Sequence, residues 1–214
     1  MSDAPQMMRA MLLDRPGRPL ALREIPTPTA GPGQILIRVV ACGVCRTDLH
    51  ILDGELTEPK LPLVLGHEGV GVAAEINGTV TDVYGDTVSP GDLITWDRGL
   101  VCGNCYFCSV RKEPFLCPHR STYGITQDGF YATHTELRAG TKIIRLAEAA
   151  DPAVYVPATC SGATSAHAVE MADIHVGWSV IVQGAGPVGL FTVAFAAAEG
   201  AGRIIVTDVS AAGK

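Results

Sequence analysis

The sequence has no long apolar run. Its longest, near VAFAAA, falls far short of the roughly 20 residues that span a bilayer, which argues against a transmembrane helix. The opening stretch MSDAPQMMRAMLLDRPGRPL is broken by Asp, Arg and Pro and lacks the pattern of a secretory leader. Blocks of like charge are missing and the net charge is -6, which argues against nucleic acid or an anionic membrane as the partner. Internal repeats and low-complexity segments are absent too. Seven cysteines is an odd number and fits a disulfide framework poorly. These absences together read as a cytoplasmic protein, in a reducing compartment where cysteines more often bind metal than pair. What is present is a core-forming composition, 47% hydrophobic and 18% charged over 214 residues, enough for one large domain or two small ones.

The most informative stretch is CGNCYFCSVRKEPFLC, which holds Cys102, Cys105, Cys108 and Cys117. Two-residue gaps let one turn of chain present neighbouring sulfurs to one ion, and a fourth thiol closes a tetrahedral Zn²⁺ site. Gly103 supplies the tight bend. The competing reading is a set of disulfides or clustered buried thiols.

Residues 8 to about 150 read as mostly β. MRAMLLD, LALREI, QILIRVVACG and GVGVAAEI are strand-like runs parted by Pro- and Gly-containing turns. Near residue 155 the texture changes: ATCSGATSAHAVEMA is helix-like, with Gly177 as its stop signal. SVIVQ then reads as a parallel strand buried on both faces, VGLFTVAFAAAEG as an apolar helix and RIIVTD as a second strand. That order is one βαβ unit. The expected division is a zinc-binding β domain over 1–153 and the start of a doubly wound α/β domain over 154–214.

Gly184, Gly186 and Gly189 form G-x-G-x-x-G between that strand and that helix, with Pro187 and Val188 inside the motif. The first Gly permits the tight turn, the second lets the backbone approach a pyrophosphate and the third permits close packing. The helix N-terminus adds free N–H groups and partial positive charge. Asp208, 19 residues after Gly189, can hydrogen-bond both ribose hydroxyls and would repel a 2′-phosphate, which favours NAD over NADP. The alternative is a glycine turn in an unliganded domain.

Three thiols remain: Cys42, Cys45 and Cys160. Cys42 and Cys45 form a Cys-x-x-Cys pair, either a redox dithiol or a ligand (Cys45) beside a buried neighbour (Cys42). The dithiol expects a βαβ setting, and this pair sits in the β-rich half. His67 and Glu68 stand between glycines in LGHEGVG. By spacing alone Cys45, His67 and Cys160 are unconnected. Brought together, they would make a Cys₂His set with one position open, the pattern of a catalytic zinc.

The order CGVCRTDLH, GHE, four-cysteine lobe, PATCSGAT, then GAGPVG with a terminal Asp resembles the zinc-dependent medium-chain alcohol dehydrogenases over essentially the whole chain. That resemblance implies a GroES-like β-barrel domain followed by a Rossmann domain, and hydride transfer between an alcohol and NAD to give an aldehyde or ketone. It assigns Cys45, His67 and Cys160 to a catalytic zinc, with Glu68 beside it, and Cys102, Cys105, Cys108 and Cys117 to a structural zinc. It places Arg46 on the pyrophosphate, Thr47 on the reacting oxygen, His50 on the proton path to solvent and Thr164 near the nicotinamide. It implies a homodimer or homotetramer for a complete chain.

Two departures stand out. Eight residues separate Cys108 from Cys117, where seven is usual in the family. The chain also stops at Lys214, six residues past Asp208, so a fragment of a longer gene product is expected. Two other readings compete: a zinc-free reductase of the same superfamily, which needs none of the Cys45/His67/Cys160 set, and a non-catalytic zinc-stabilised module. His119, His134, His167 and His175 read as surface or structural, Met7, Met8, Met11, Phe191 and Phe195 as core, and Trp96 and Trp178 as packing residues at strand ends.

Overall fold

The computed structural model describes residues 4–56 and 60–210; the first residues of the leader reading and Lys214 lie outside them. The chain forms two compact units, Met1–Val156 and Pro157–Lys214.

The first unit is built on antiparallel sheets. Strands β1 (Met7–Leu13), β2 (Ala21–Pro26), β3 (Ile35–Cys42), β4 (Leu63–Val64), β5 (Gly69–Ile76), β6 (Leu93–Trp96), β7 (Gly99–Leu100), β8 (Ser121–Thr122), β9 (His134–Leu137) and β10 (Ile143–Arg145) occur in that order. One sheet runs β2-β1-β4 and a larger one β10-β6-β5-β3-β9, while β7 and β8 pair by themselves. Segment 129–133 stitches the two larger sheets together. Ala132 bridges Ala10, and the Met11 N–H donates to the Tyr131 carbonyl at 2.8 Å.

β3 is an interior strand of its sheet, paired with β5 on one side and β9 on the other, and Ile35, Leu36 and Ile37 are buried in succession there. The core around it includes Ile94, Phe130, Leu137 and Trp96, whose ring meets Phe130 edge-on at 4.8 Å. Register slips between Leu36/Ile37 and Val39/Ala41 mark bulges in the β3–β5 pairing. Bulges bend and twist a strand, and here the second lies just before Cys42, where the chain turns into the first helix. That helix, α1 (Arg46–Asp53), rests on a second cluster through Ile51, packed with Leu13, Leu63 and Leu65. Gly54 ends it in the left-handed region at φ 79°.

At another corner Arg145 gathers three acids. Its guanidinium lies 3.3 Å from Asp82, 3.1 Å from Asp86 and 3.8 Å from Asp92. Asp82 also accepts N–H bonds from Tyr84 at 2.9 Å and Asp86 at 3.0 Å. Burial alone would raise the Asp82 carboxyl, but the Asp86 and Tyr84 N–H groups and Arg145 outweigh it and hold it below the ordinary 3.8. The folded state therefore holds this proton less tightly than the unfolded chain. The resulting stability is present above the ordinary value and disappears as pH falls through the depressed one. Asp82→Asn is expected to lower the urea midpoint near neutral pH and to differ progressively less from the wild type on acidification. Paired urea titrations from about pH 7 to about pH 2.5 check this, and a gap that stays constant would show the charge to be irrelevant.

The second unit comprises the end of α2 (Pro152–Pro157), a wide helical turn Ala158–Gly162, α3 (Ala163–Ala172), β11 (Ser179–Gln183), α4 (Pro187–Ala198) and β12 (Arg203–Thr207). β11 and β12 are parallel, with Ser179 opposite Arg203 and Gln183 opposite Thr207, as βαβ connectivity requires. Three expectations need correction. The helix stops at Asp173, which takes the left-handed C-terminal position at φ 48°, so Gly177 belongs to the turn before β11. β11 is not buried on both faces: Val182 is buried but Ile181 is 66% exposed. α4 packs on this strand pair, and no described element of the unit covers Ile181. Met7, read as core, is also exposed, because alternation along β1 turns Met8 inward instead. Among the described residues no helix is long and apolar enough to cross a membrane.

Candidate metal centres and nucleotide loop

The four cysteines of the lobe converge. Their sulfurs all lie within 4.8 Å of one another, with Cys102–Cys117 at 3.6 Å and Cys105–Cys117 at 3.9 Å. A disulfide needs about 2.05 Å. A tetrahedron with Zn–S bonds of about 2.3 Å puts sulfurs about 3.8 Å apart, so these thiols fit one zinc ion. Gly103 turns the chain at φ 73° between the first two thiols. A wide helical turn, Tyr106–Arg111, and a short one, Pro114–Leu116, carry the chain from Cys105 to Cys117. Neither turn buries a residue; in the lobe only Cys117 is buried. The lobe therefore has no apolar core of its own. The thiols are not alike without an ion: N–H donation, from Asn104 first, pulls Cys102 down to about 6, while desolvation pushes Cys108 up to about 12.

A second cluster sits where β3 hands over to α1. Cys45 occupies the N-cap of α1, and Asp48 reaches back to accept the Cys45 N–H at 2.9 Å, a capping box with an acid at its third position. Ligating atoms of Cys45, His67 and Glu68 lie within 4.8 Å of one another. The His67 side chain is fully buried, with Nδ1 3.3 Å from Asp48 Oδ1, an approach short of hydrogen-bond geometry. Nε2 has no hydrogen-bond partner among the described residues. A buried imidazole nitrogen left so is costly unless something else takes it up, and a zinc ion fits that thiol–imidazole pair. Glu68 lies over Gly43, where an added Cβ would fall 2.2 Å from its Oε2. Burial, above all, pushes the Cys42 thiol up to about 12, so it is a poor nucleophile and suits a buried neighbour better than a redox dithiol.

Asp48 escaped the sequence reading. It is 3% exposed, and besides Cys45 it accepts the Gly66 N–H at 3.2 Å and lies 3.1 Å from the Tyr131 hydroxyl. Burial would raise its carboxyl, but His67, the Cys45 N–H and Tyr131 together hold it low. The C-x-x-D capping pattern was the available signal. On the same helix Thr47 Oγ1 lies 3.8 Å from Cys45 Sγ, Arg46 is exposed and His50 is half-buried with Nδ1 in contact with Glu55.

In the second unit Cys160 is buried within the wide turn before α3, and Thr164 is exposed on α3. The glycine loop behaves as its motif demands. Gly184 sits at φ 101°, an added Cβ on Gly186 would meet open space, and one on Gly189 would lie 1.8 Å from the Gly184 carbonyl oxygen. Pro187 opens α4 at its first position. The Val188 carbonyl accepts the Ser165 hydroxyl at 2.7 Å, tying α4 to α3. Asp208 follows β12 and accepts N–H bonds from Ala185 at 2.6 Å and Ser210 at 2.6 Å, which hold its carboxyl below the ordinary value.

Residues 31–148, more than half of the chain, match the model for the alcohol dehydrogenase GroES-like domain. An alcohol dehydrogenase of Geobacillus stearothermophilus is 33% identical over 205 residues, covering 95% of this chain and 58% of that protein. The crystal structure of an alcohol dehydrogenase from Thermotoga maritima superposes with a TM-score of 0.94 at 39% identity, over 98% of this chain and 60% of the other. A zinc-binding dehydrogenase from Sinorhizobium meliloti, solved bound to NADP, does so with a TM-score of 0.86 at 31% identity, over 98% and 58%. The chain thus spans a little over half the length of the relatives it matches.

Proposed function

The chain belongs to the zinc-type alcohol dehydrogenases with a GroES-like domain, and on that premise we propose that its residues serve hydride transfer between an alcohol and NAD, giving an aldehyde or ketone. The observation that carries this reading is the buried His67, its Nε2 unpartnered beside the Cys45 thiol and the Glu68 carboxylate.

Cys45, His67 and Cys160 would hold a catalytic zinc. Two thiolates and a neutral imidazole suit that ion and leave one position open. Bound there, Zn²⁺ supplies Lewis acidity to an alcohol oxygen that does not ionise near neutral pH by itself. The surrounding residues have separable tasks. Thr47, beside Cys45 at the start of α1, accepts the substrate hydroxyl proton as it passes its own onward. His50, one turn later and half-buried, delivers that proton to water. Glu68 would stand by the ion as a neighbouring carboxylate. Arg46, exposed at the head of α1, would contact the pyrophosphate, and Thr164 would serve at the nicotinamide end. A zinc-free reductase would need none of this donor set.

The dinucleotide is proposed to bind along Gly184, Gly186, Pro187, Val188 and Gly189. The open face of Gly186 admits the pyrophosphate to the first turn of α4. Asp208 is the argument for NAD. Each of its oxygens accepts one backbone N–H and retains capacity for a ribose hydroxyl, while its negative charge opposes a 2′-phosphate. The Sinorhizobium relative holds NADP, so the choice is worth measuring. Calorimetric titration of this chain is expected to show NAD binding at least about tenfold tighter than NADP, about 1.4 kcal/mol, with Asp208→Ser narrowing the gap. Equal affinities would overturn the NAD assignment, and no binding of either would overturn the dinucleotide site.

A further inference from the structure

Tyr131 takes no part in the chemistry above, yet it touches both of the segments that present Cys45 and His67. Its backbone is pinned first: its carbonyl accepts the Met11 N–H at 2.8 Å, and its N–H donates to the Leu65 carbonyl at 2.9 Å. The ring lies against the main chain just before His67. An added Cβ on Gly66 would lie 2.5 Å from Tyr131 Cδ1, and Gly66 itself takes φ 88°. The hydroxyl lies between two acceptors, 3.1 Å from the Gly43 carbonyl oxygen and 3.1 Å from Asp48 Oδ2. Asp48 in turn accepts the Cys45 N–H through the same Oδ2 and the Gly66 N–H through Oδ1, the oxygen that lies 3.3 Å from His67 Nδ1.

We propose that Tyr131 is a positioning residue of the Cys45/His67 metal centre, fixing the Asp48 carboxylate and the Gly43 and Gly66 main chain so that thiol and imidazole meet the ion correctly placed. This rests on the zinc reading given above. A carboxylate that steers a ligating histidine must itself be held, or it turns toward whichever donor is nearest. Here the Gly66 N–H and the Cys45 N–H fix one edge each, and the phenol supplies the remaining donor from a different part of the chain. Burial, with the Asp48 charge beside it, keeps the phenol protonated and therefore a donor. Partners of this kind typically contribute about 10- to 100-fold in metal affinity.

The test uses the chain as it is and zinc alone. Wild type is expected to bind two zinc ions, one of which is lost in Cys45→Ser and is thereby assigned to this centre. Tyr131→Phe keeps the ring on Gly66 and removes only the hydroxyl. Chelator competition should show the Cys45-dependent zinc weakened about tenfold in Tyr131→Phe while the four-cysteine zinc is unchanged. Equal affinity at the Cys45-dependent site in Tyr131→Phe and wild type overturns the inference. So does an equal loss at both sites with a lowered melting temperature, since that describes a general packing role. A wild-type chain that binds a single zinc, insensitive to Cys45→Ser, refutes the metal reading itself and is thereby distinguishable from either.

Discussion

Cys45→Ser in the native gene product is expected to remove one zinc per chain and to lower turnover by about a thousandfold or more. The size follows from what the ion contributes. Lewis-acid stabilisation of a developing alkoxide is worth several kcal/mol, and each 1.4 kcal/mol or so is a factor of about ten in rate. Serine cannot substitute, because a hydroxyl at neutral pH is neither charged nor soft, while thiolate is both. The loss also leaves His67, whose side chain is fully buried, without the partner that makes its burial tolerable. Elemental analysis and steady-state rates decide the matter together. Retention of both zinc ions at wild-type turnover would sink the assignment of Cys45.

The other large effect belongs to the four-cysteine lobe. Between Cys102 and Cys117 only Cys117 is buried, and side chains such as Tyr106, Val110 and Phe115 are at least half exposed. The ion must therefore do what a hydrophobic interior does elsewhere, and structural zinc in small modules supplies apparent free energies of about 10–16 kcal/mol near neutral pH. Cys117→Ala is expected to unfold the lobe and leave the sheets around β3 intact, since their core of Ile37, Ile94, Trp96 and Phe130 lies outside it. Limited trypsin digestion should then cut at Arg111 or Lys112 at least about a hundredfold faster than in wild type, with the far-UV spectrum little changed. Unchanged proteolysis would show that the lobe stands without its metal.

Much of the fold was legible in the sequence. The lobe could be read because local spacing alone brings its sulfurs together, and the glycine loop because each of its glycines answers a local steric demand. Gly189, packed against the Gly184 carbonyl, shows how strict that demand is. The strands of the first unit followed from short branched runs between Pro and Gly turns. What escaped the sequence was set by distance along the chain. Asp48 and Tyr131 are 83 positions apart, and nothing in either neighbourhood announces that a phenol will meet a carboxylate. The exposure of Ile181 escaped for another reason: an apolar strand looks the same in sequence whether one or both of its faces are covered.

A lobe organised around an ion also has an unusual freedom to change length. Lengthening a segment packed into an apolar interior means repacking its neighbours, whereas a thiolate cage asks only that four sulfurs arrive at one point. The eight residues between Cys108 and Cys117, which include Lys112 in the left-handed region at φ 58°, form a segment of that kind. For a protein engineer, that makes the exposed stretch 109–116 the natural position for splicing in an epitope or a label, with the sheets and the Cys45–His67 cluster left as they are.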